Sequence, residues 1–265
     1  MISRKLLDDV VTIAHDAGAA IMVVYSGDIA VAEKDDRSPL TEADERANAV
    51  IVGRLREITP DLPILSEEAV ADFPGSDAGG RYWLVDPLDG TKEFIKRNGE
   101  FTVNIALIEN GKPVLGVVYA PALGTTYLAA WGLGAFKQAA DGPQQGIGAA
   151  THGDGDPWRV VGSRSHAGDS LGAFLQVLGD HELVSMGSSL KLCLVAEGAA
   201  DLYPRLGPTS LWDTAAAQCV VEQAGGEVLA PDGRPLSYAN PSERLNPHFL
   251  VHGRGKTDWR GWAAF

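Results

Sequence analysis

The chain has 265 residues, of which 35 are acidic and 22 basic, so its formal net charge is −13. With 45% hydrophobic and 22% charged residues, its composition is that of a folded globular protein and excludes a disordered or fibrous one. The acidity argues against a surface that binds the phosphates of duplex nucleic acid, and at first sight against any small anionic substrate. The length fits one large domain or two small ones.

The chain carries no recognisable targeting or membrane signal. Acidic side chains at Asp8, Asp9 and Asp16 interrupt the apolar pattern near the first residue, so we expect no signal peptide. No stretch reaches 18 apolar residues, which excludes a membrane-spanning helix. Cys193 and Cys219 lack metal-binding spacing and are expected to be buried thiols in a reducing compartment. We therefore expect a cytoplasmic protein, with a peripheral association at the inner membrane left open.

The first half of the chain predicts two helices followed by an antiparallel meander. Apolar residues at helical spacing predict a helix over 3–26 with Ser3 as its N-cap, and a second one from Thr41 that ends before Pro60. Asn110-Gly111 is typical of a tight hairpin between two strands. The predicted strands are short and rich in β-branched or aromatic residues: 63–68, 81–86, 101–109, 113–121 and 125–131.

The second half alternates strands and helices. Residues 139–157 are rich in Gly, Ala and Pro and predict a linker or mobile surface loop. After them the predicted strands are 158–163, 182–187, 201–205, 227–230 and 248–252, and the predicted helices are 167–178, 189–197 and 213–224. The prediction is an α/β protein of two halves, 1–157 and 158–265, packed into layers of sheet and helix.

The segment Asp86-Pro87-Leu88-Asp89-Gly90-Thr91 carries the strongest chemical signal. It follows the apolar strand RYWLV, and α/β proteins usually build their sites at the carboxyl ends of strands. If the chain turns there, both carboxylates and the Leu88 carbonyl converge, which suits a hard cation such as Mg²⁺. The amides of Gly90 and Thr91 at the following helix start suit a phosphate group. The alternative is an ordinary acidic turn.

Three further acidic positions have ordinary structural alternatives. Glu67 and Glu68 end a predicted strand, where they could be solvated surface residues. Asp213 stands at the start of an alanine-rich helix, where it could be only an N-cap. Asp44 follows Thr41 by three residues, so the pair could be only a capping box.

Taken together, the segments LTEAD, ILSEE, DPLDGT and WDTAA resemble, in this order, the inositol monophosphatase-like superfamily of Mg²⁺-dependent, lithium-sensitive phosphatases. Further segments, among them DPLDGTKEF, SRSH, GSSLKLC and LYPR, look like the CysQ type of 3′(2′),5′-bisphosphate nucleotidase. The resemblance covers nearly the whole chain. It implies a layered sandwich in which helices alternate with two mixed or antiparallel sheets.

The resemblance implies a role for each acidic residue. Two or three Mg²⁺ ions would be held by Glu67, Glu68, Asp86, the Leu88 carbonyl, Asp89 and Asp213. Asp44 and Thr91 would be catalytic, since they would orient the attacking water and take its proton. The substrate-binding residues would be Glu67, Leu88, Asp89, Gly90, Thr91, Ser165, His166, Gly187, Ser188, Lys191, Arg205 and Asp213.

The implied substrate is a small phosphorylated nucleotide, adenosine 3′,5′-bisphosphate, which would lose its 3′-phosphate to give AMP in the recycling of a by-product of sulfate assimilation. 3′-Phosphoadenylyl sulfate is a further candidate substrate. Lys191 and Arg205 would hold the 5′-phosphate, although each has an ordinary surface role as its alternative. Two other functions stay open: an inositol phosphatase or sugar bisphosphatase, and a non-catalytic regulatory protein on the same fold. The resemblance implies no nucleic-acid partner and leaves a homodimer open.

Overall fold

The computed structural model describes residues 2–27, 31–33, 39–140, 142–163 and 169–255. In this part of the chain the helices are α1 (Arg4–Tyr25), α2 (Glu42–Ile58), α3 (Thr91–Ile95), α4 (Asp169–Leu178), α5 (Leu190–Ala196) and α6 (Ala215–Gln223). Short 3₁₀ helices span Glu67–Asp72, Pro121–Leu123 and Leu211–Asp213. The strands are β1 (Val31–Glu33), β2 (Pro39–Thr41), β3 (Ile64–Ser66), β4 (Arg81–Asp89), β5 (Thr102–Glu109), β6 (Lys112–Ala120), β7 (Thr125–Ala130), β8 (Gly134–Ala139), β9 (Gln145–Gly146), β10 (Trp158–Ser163), β11 (His181–Met186), β12 (Leu202–Arg205), β13 (Glu227–Leu229) and β14 (Phe249–His252).

The first two helices begin where their capping residues predict. The Ser3 hydroxyl accepts a hydrogen bond from the Leu6 amide at 3.1 Å at the start of α1. Thr41 and Asp44 form a capping box at the start of α2. Both helices bury an apolar face against each other and against the strands of the larger sheet. The two predicted helices are therefore confirmed.

The larger sheet has the strand order β3-β4-β5-β6-β7-β8-β9. β3 runs parallel to β4, and every later pair is antiparallel. Asn110 and Gly111 both adopt positive φ, 50° and 76°, in the tight turn that joins β5 to β6. The predicted antiparallel meander is confirmed. The acidic residues Asp86 and Asp89 lie at the carboxyl end of β4.

The smaller sheet has the order β11-β10-β12-β14-β13 and mixes parallel and antiparallel pairs. Between the two sheets lie α5 and α6, whose buried side chains share one apolar core with both. The order of layers is therefore α1 and α2, the larger sheet, α5 and α6, and the smaller sheet. This arrangement confirms the predicted α/β fold of helices layered with two sheets. No helix among the described residues is long and apolar enough to cross a membrane.

The segment 139–157 differs from the predicted linker. Residues 145–146 form β9, which pairs with β8 at the edge of the larger sheet. Ala149 is buried, and its amide donates to the Ala224 carbonyl at 3.0 Å just after α6. Small residues with little apolar surface still pack here, because backbone hydrogen bonds hold them against the helix end. The prediction of an unstructured linker is therefore wrong for residues 145–149.

Candidate active site

The end of β4 carries two carboxylates, that of the buried Asp86 and that of the half-buried Asp89. The β4–β5 ladder shifts register between Asp86 and Asp89, so the strand bulges at the proline between them. Asp86 Oδ1 accepts a hydrogen bond from the Leu88 amide at 3.0 Å, which fixes the turn. Gly90 follows with φ +90°, a conformation that favours glycine, and a Cβ there would stand 3.2 Å from the Glu100 carbonyl oxygen.

Asp213 reaches the same place from the second half of the chain. It closes the 3₁₀ helix Leu211–Asp213, and its Oδ2 accepts a hydrogen bond from the Ser210 amide at 2.9 Å. The N-cap of α6 is Thr214, so the alternative that Asp213 itself caps the alanine-rich helix is wrong. Carboxylate oxygens of Asp86, Asp89 and Asp213 all lie within 4.8 Å of one another. We call these three residues the acid triad.

Burial and the neighbouring acidic side chains raise the pKa of two residues of the acid triad, Asp86 and Asp213. The pKa of Asp86 is raised well above its ordinary value, first by burial and then by the charges of Glu67, Asp89 and Asp213. The pKa of Asp213 is also raised well above its ordinary value, by burial and then by Asp89. Carboxylates held this close without a cation repel one another, and a bound cation would remove that cost.

Glu67, Glu68 and Asp44 approach the triad from neighbouring elements. Glu67 and Glu68 open the 3₁₀ helix after β3, and Glu67 is close enough to raise the pKa of both Asp86 and Asp213. Asp44 is buried, and its Oδ2 accepts bonds from the Thr41 amide at 2.8 Å and hydroxyl at 2.6 Å. The capping-box alternative for Asp44 is thus confirmed, yet the same carboxylate also contributes to the raised pKa of Asp86. Asp44 therefore caps α2 and also lies close enough to the acid triad to affect the pKa of Asp86.

The donor set of the triad fits a hard divalent cation. All of its ligand atoms are carboxylate oxygens, and such oxygens are the ligands of Mg²⁺ and Ca²⁺ rather than of softer metals. The Leu88 carbonyl lies in the same turn and accepts a long hydrogen bond of 3.5 Å from the Thr91 hydroxyl. The acid triad can therefore hold a metal ion.

A cleft of about 440 Å³ opens beside the triad. It is lined by residues from both halves of the chain, including Asp89, Gly90, Thr91, Gly187, Ser188, Lys191, Arg205 and Asp213. The structure thus brings eight predicted site residues to one cleft. Ser165 and His166, predicted for the substrate side, lie outside the described residues.

Lys191 and Arg205, the cationic residues predicted for the substrate side, line the cleft together with Lys92 and the acidic residues. Lys191 is buried, its Nζ donates to the Ser188 carbonyl, and it stands 5.6 Å from the centre of the Tyr203 ring. Burial lowers the pKa of Lys191 to about 8. Arg205 donates from Nη2 to the Pro208 carbonyl at 2.7 Å, while its buried Nε has no hydrogen-bond partner among the described residues. The lysine and the orphaned guanidinium nitrogen suit an anionic group in the cleft.

The sequence interpretation missed two polar residues behind Asp89. Thr102 and Asn104 are buried on β5 and bond to the serines of the turn before α5. Their signal was present in the sequence, because they are polar residues two apart in the apolar strand FTVNIALI. Residues two apart share one face of a sheet, so the pair indicated a polar patch there.

Comparison with known proteins agrees with the geometry. The model of the inositol monophosphatase family matches residues 4–255. The 3′(2′),5′-bisphosphate nucleotidase CysQ of Escherichia coli K12 is 53% identical over 248 residues, which is 93% of this chain and 99% of that protein. Its counterpart in Salmonella typhimurium LT2 is 54% identical over the same shares.

Solved structures show the same fold. The crystal structure of CysQ from Bacteroides thetaiotaomicron matches with a TM-score of 0.82 and 41% identity, over 96% of this chain and 98% of that one. The inositol monophosphatase of Anabaena sp. PCC 7120 matches with a TM-score of 0.77 and 26% identity, over 98% and 95%. The sequence, the fold and the acidic cleft agree, and the chain belongs to the inositol monophosphatase family.

Proposed function

We propose that the chain is a Mg²⁺-dependent 3′(2′),5′-bisphosphate nucleotidase that removes the 3′-phosphate of adenosine 3′,5′-bisphosphate and releases AMP. Relatives that are 53% identical to this chain are named 3′(2′),5′-bisphosphate nucleotidases, which supports this substrate. The main structural support is the composition of the cleft, which is lined by the acidic Asp89 and Asp213 and by the cationic Lys191 and Arg205. A substrate with two phosphates needs one group to be cleaved and the other to be held.

The acidic part of the cleft is the proposed place of cleavage. Asp86, Asp89, Asp213, Glu67 and the Leu88 carbonyl would hold two Mg²⁺ ions, with a third near Glu68. Bound there, the cations would polarise the phosphoryl oxygens and make water a better nucleophile.

The chain's own groups then act on the substrate. The Gly90 and Thr91 amides receive the 3′-phosphoryl group, since both residues line the cleft at the turn into α3. The Asp44 carboxylate and the Thr91 hydroxyl orient the attacking water and accept its proton. A water held near Asp213 returns a proton to the departing 3′-oxygen of the ribose.

The cationic side of the cleft is the proposed holder of the second phosphate. Lys191 and the orphaned Nε of Arg205 would donate to the 5′-phosphate, which is held but not cleaved. 3′-Phosphoadenylyl sulfate also carries a 3′-phosphate and, at its 5′ end, a phosphate joined to sulfate. Because both ends are again anionic, it is a second proposed substrate.

Product analysis tests the regiochemistry. The purified protein is incubated with adenosine 3′,5′-bisphosphate and Mg²⁺, and the products are followed by ³¹P NMR. We expect one equivalent of inorganic phosphate and AMP that keeps its 5′-phosphate resonance. Formation of adenosine 3′-monophosphate would overturn the assignment of the two ends of the cleft.

A further inference from the structure

A closed set of buried hydrogen bonds lies behind Asp89. Asp89 Oδ2 accepts from the Ser188 hydroxyl and from the Ser189 amide, both at 2.6 Å. The Thr102 hydroxyl contacts the Ser188 hydroxyl at 2.5 Å and the Ser189 hydroxyl at 2.9 Å. Asn104 Oδ1 lies 2.9 Å from the Ser189 hydroxyl and 3.1 Å from that of Thr102. We call Thr102, Asn104, Ser188 and Ser189 the support network.

Counting protons gives the support network a direction. The Ser188 hydroxyl has one proton, and an acceptor-only carboxylate takes it. The contact of 2.5 Å between the Thr102 and Ser188 hydroxyl oxygens then needs the Thr102 proton, which competes with the bond of 3.1 Å that Thr102 can donate to Asn104 Oδ1. The Ser189 hydroxyl in turn donates to the Asn104 carbonyl oxygen, which can only accept. With the Thr102 hydroxyl present, Ser188 can donate to Asp89 while its own oxygen accepts from Thr102 and from the Ser189 amide.

Asn104 also faces the second member of the acid triad. Asn104 and Asp86 are directly opposed in the β4–β5 ladder, so their side chains leave the same face of the sheet. Opposed residues in an antiparallel pair have Cβ atoms roughly 5 Å apart. Asn104 is 1% exposed, and its Nδ2 has no hydrogen-bond partner among the described residues. A buried amide donor without a partner is costly. The residue opposite Asn104 on β4 is Asp86, whose carboxylate can accept such a bond.

We propose that Thr102 and Asn104 are positioning residues that tie the orientation of Asp89 to that of Asp86. Asn104 Oδ1 accepts from the hydroxyls of the support network and so holds them in place behind Asp89. Its Nδ2 would donate to the Asp86 carboxylate when a cation draws Asp86 and Asp89 together. This inference rests on the proposed function, because it takes Asp86 and Asp89 to be metal ligands. Neither Thr102 nor Asn104 lines the cleft, so neither acts on the substrate directly.

The test is metal binding by the substrate-free protein. Partners that orient metal ligands typically contribute roughly 10–100-fold to metal affinity. Thr102→Val keeps the shape of the side chain but removes the hydroxyl, so we expect Mg²⁺ to bind at least tenfold more weakly in isothermal titration calorimetry. Thr102→Ser restores the hydroxyl and should restore the wild-type dissociation constant.

The matched control is Thr126→Val. Thr126 is also a buried threonine of the larger sheet, but its hydroxyl bonds to His15 Nε2 at 2.8 Å, away from the acid triad. This variant should lose some thermal stability and keep the wild-type Mg²⁺ affinity. A purely structural role of Thr102 would make the two valine variants behave alike.

A second variant keeps the test decisive if Thr102→Val does not fold. Ser188→Ala removes the hydroxyl that donates to Asp89, and it leaves no large hole because little of the side chain is lost. A folded Ser188→Ala or Thr102→Val protein whose Mg²⁺ dissociation constant stays within twofold of wild type would overturn the inference. If the wild type itself neither bound Mg²⁺ nor hydrolysed the bisphosphate, the proposed function would fail instead.

Discussion

Asp89 is the residue on which both the metal site and the cleft depend. It belongs to the acid triad, lines the cleft, and accepts two hydrogen bonds of 2.6 Å from the serine turn. Asp89→Asn keeps the size but removes the charge, and it replaces one of the two carboxylate oxygens with an amide group that cannot bind a cation. We predict a loss of at least 100-fold in kcat at saturating Mg²⁺, with the melting temperature used to confirm folding. Turnover near the wild-type level would overturn the two-metal assignment.

A mutation of Lys191 should distinguish a substrate that carries the 5′-phosphate from one that lacks it. A hydrogen bond to a charged group contributes about 1.5–3 kcal/mol, which corresponds to roughly a tenfold to hundredfold change in affinity. We predict that Lys191→Met raises KM for adenosine 3′,5′-bisphosphate by at least tenfold and changes KM for adenosine 3′-monophosphate little. Equal changes for both substrates would show that Lys191 does not hold the 5′-phosphate.

The lowered pKa of Lys191 adds a pH dependence. Burial lowers the pKa to about 8, so the side chain is charged below that pH and loses its proton as the pH rises through it. We predict that kcat/KM for the bisphosphate falls between pH 7 and pH 9 relative to that for adenosine 3′-monophosphate. The ratio should be flat with pH in Lys191→Met.

Single site residues could be predicted from the sequence where several of them lie in one short segment. The pair Asp86 and Asp89 could be identified because two acids three residues apart follow an apolar strand, and α/β proteins build their sites at such strand ends. The support network was missed because Thr102 and Asn104 act through residues 85 or more positions away. Only the folded chain shows that their strand faces the serine turn.

At the scale of elements, the turn of Gly187, Ser188 and Ser189 between β11 and α5 determines the shape of the cleft. All three residues line it, and the two serines hold Asp89 in place. A Cβ on Gly187 would stand 2.8 Å from both the Glu100 carbonyl oxygen and Glu93 Cγ, so no larger residue fits without a backbone shift. We predict that Gly187→Ala lowers stability by about 1–3 kcal/mol in urea unfolding. It should also lower kcat/KM at least tenfold, because the shift moves both groups that hold Asp89.

Gly172→Ala provides the control. Gly172 lies in α4, where a Cβ would meet nothing within 4 Å. An alanine in a helix is usually neutral or stabilising relative to glycine. If Gly187→Ala were as well tolerated as Gly172→Ala in both assays, the turn would not be setting the cleft.

Element boundaries were predictable where capping is local. Ser3, Thr41 and Asn110-Gly111 gave correct starts and turns, because each acts on its immediate neighbours. The N-cap alternative for Asp213 was wrong, because a 3₁₀ helix precedes α6, and within it Asp213 forms a capping box with Ser210. Short 3₁₀ turns depend on packing between layers, which local sequence patterns do not report.

For the whole molecule, the acidic cluster links stability to pH and to metal. The folded-state pKa values of Asp86 and Asp213 are raised above the ordinary 3.8, so the folded chain binds more protons than the unfolded one. Their contribution to stability is complete below pH 3.8 and is lost as the pH rises through the raised values. A cation that binds only the folded chain reverses this loss.

We therefore predict that the rise in melting temperature on adding Mg²⁺ is larger at pH 8 than at pH 5. Differential scanning fluorimetry at both pH values, with chelator or with Mg²⁺, measures it. Asp89→Asn provides the control, because one member of the triad no longer carries charge. An equal Mg²⁺ effect at both pH values would contradict the coupling.

The net charge of −13 also has a different meaning once the fold is known. It first argued against an anionic substrate. The fold gathers acidic residues from four segments of the chain around Asp86, where bound cations would reverse the local field. Net charge alone carried no information on that clustering, so the resemblance to a family of phosphatases followed from the order of the acidic segments and not from composition.

The most direct test of the proposed nucleotidase is a rate comparison on two substrates, each with Mg²⁺ and with chelator. We predict that adenosine 3′,5′-bisphosphate is hydrolysed at least tenfold faster than inositol 1-phosphate, measured as kcat/KM, and that chelation abolishes both rates. A tenfold preference for inositol 1-phosphate, or hydrolysis that persists without divalent cations, would contradict it.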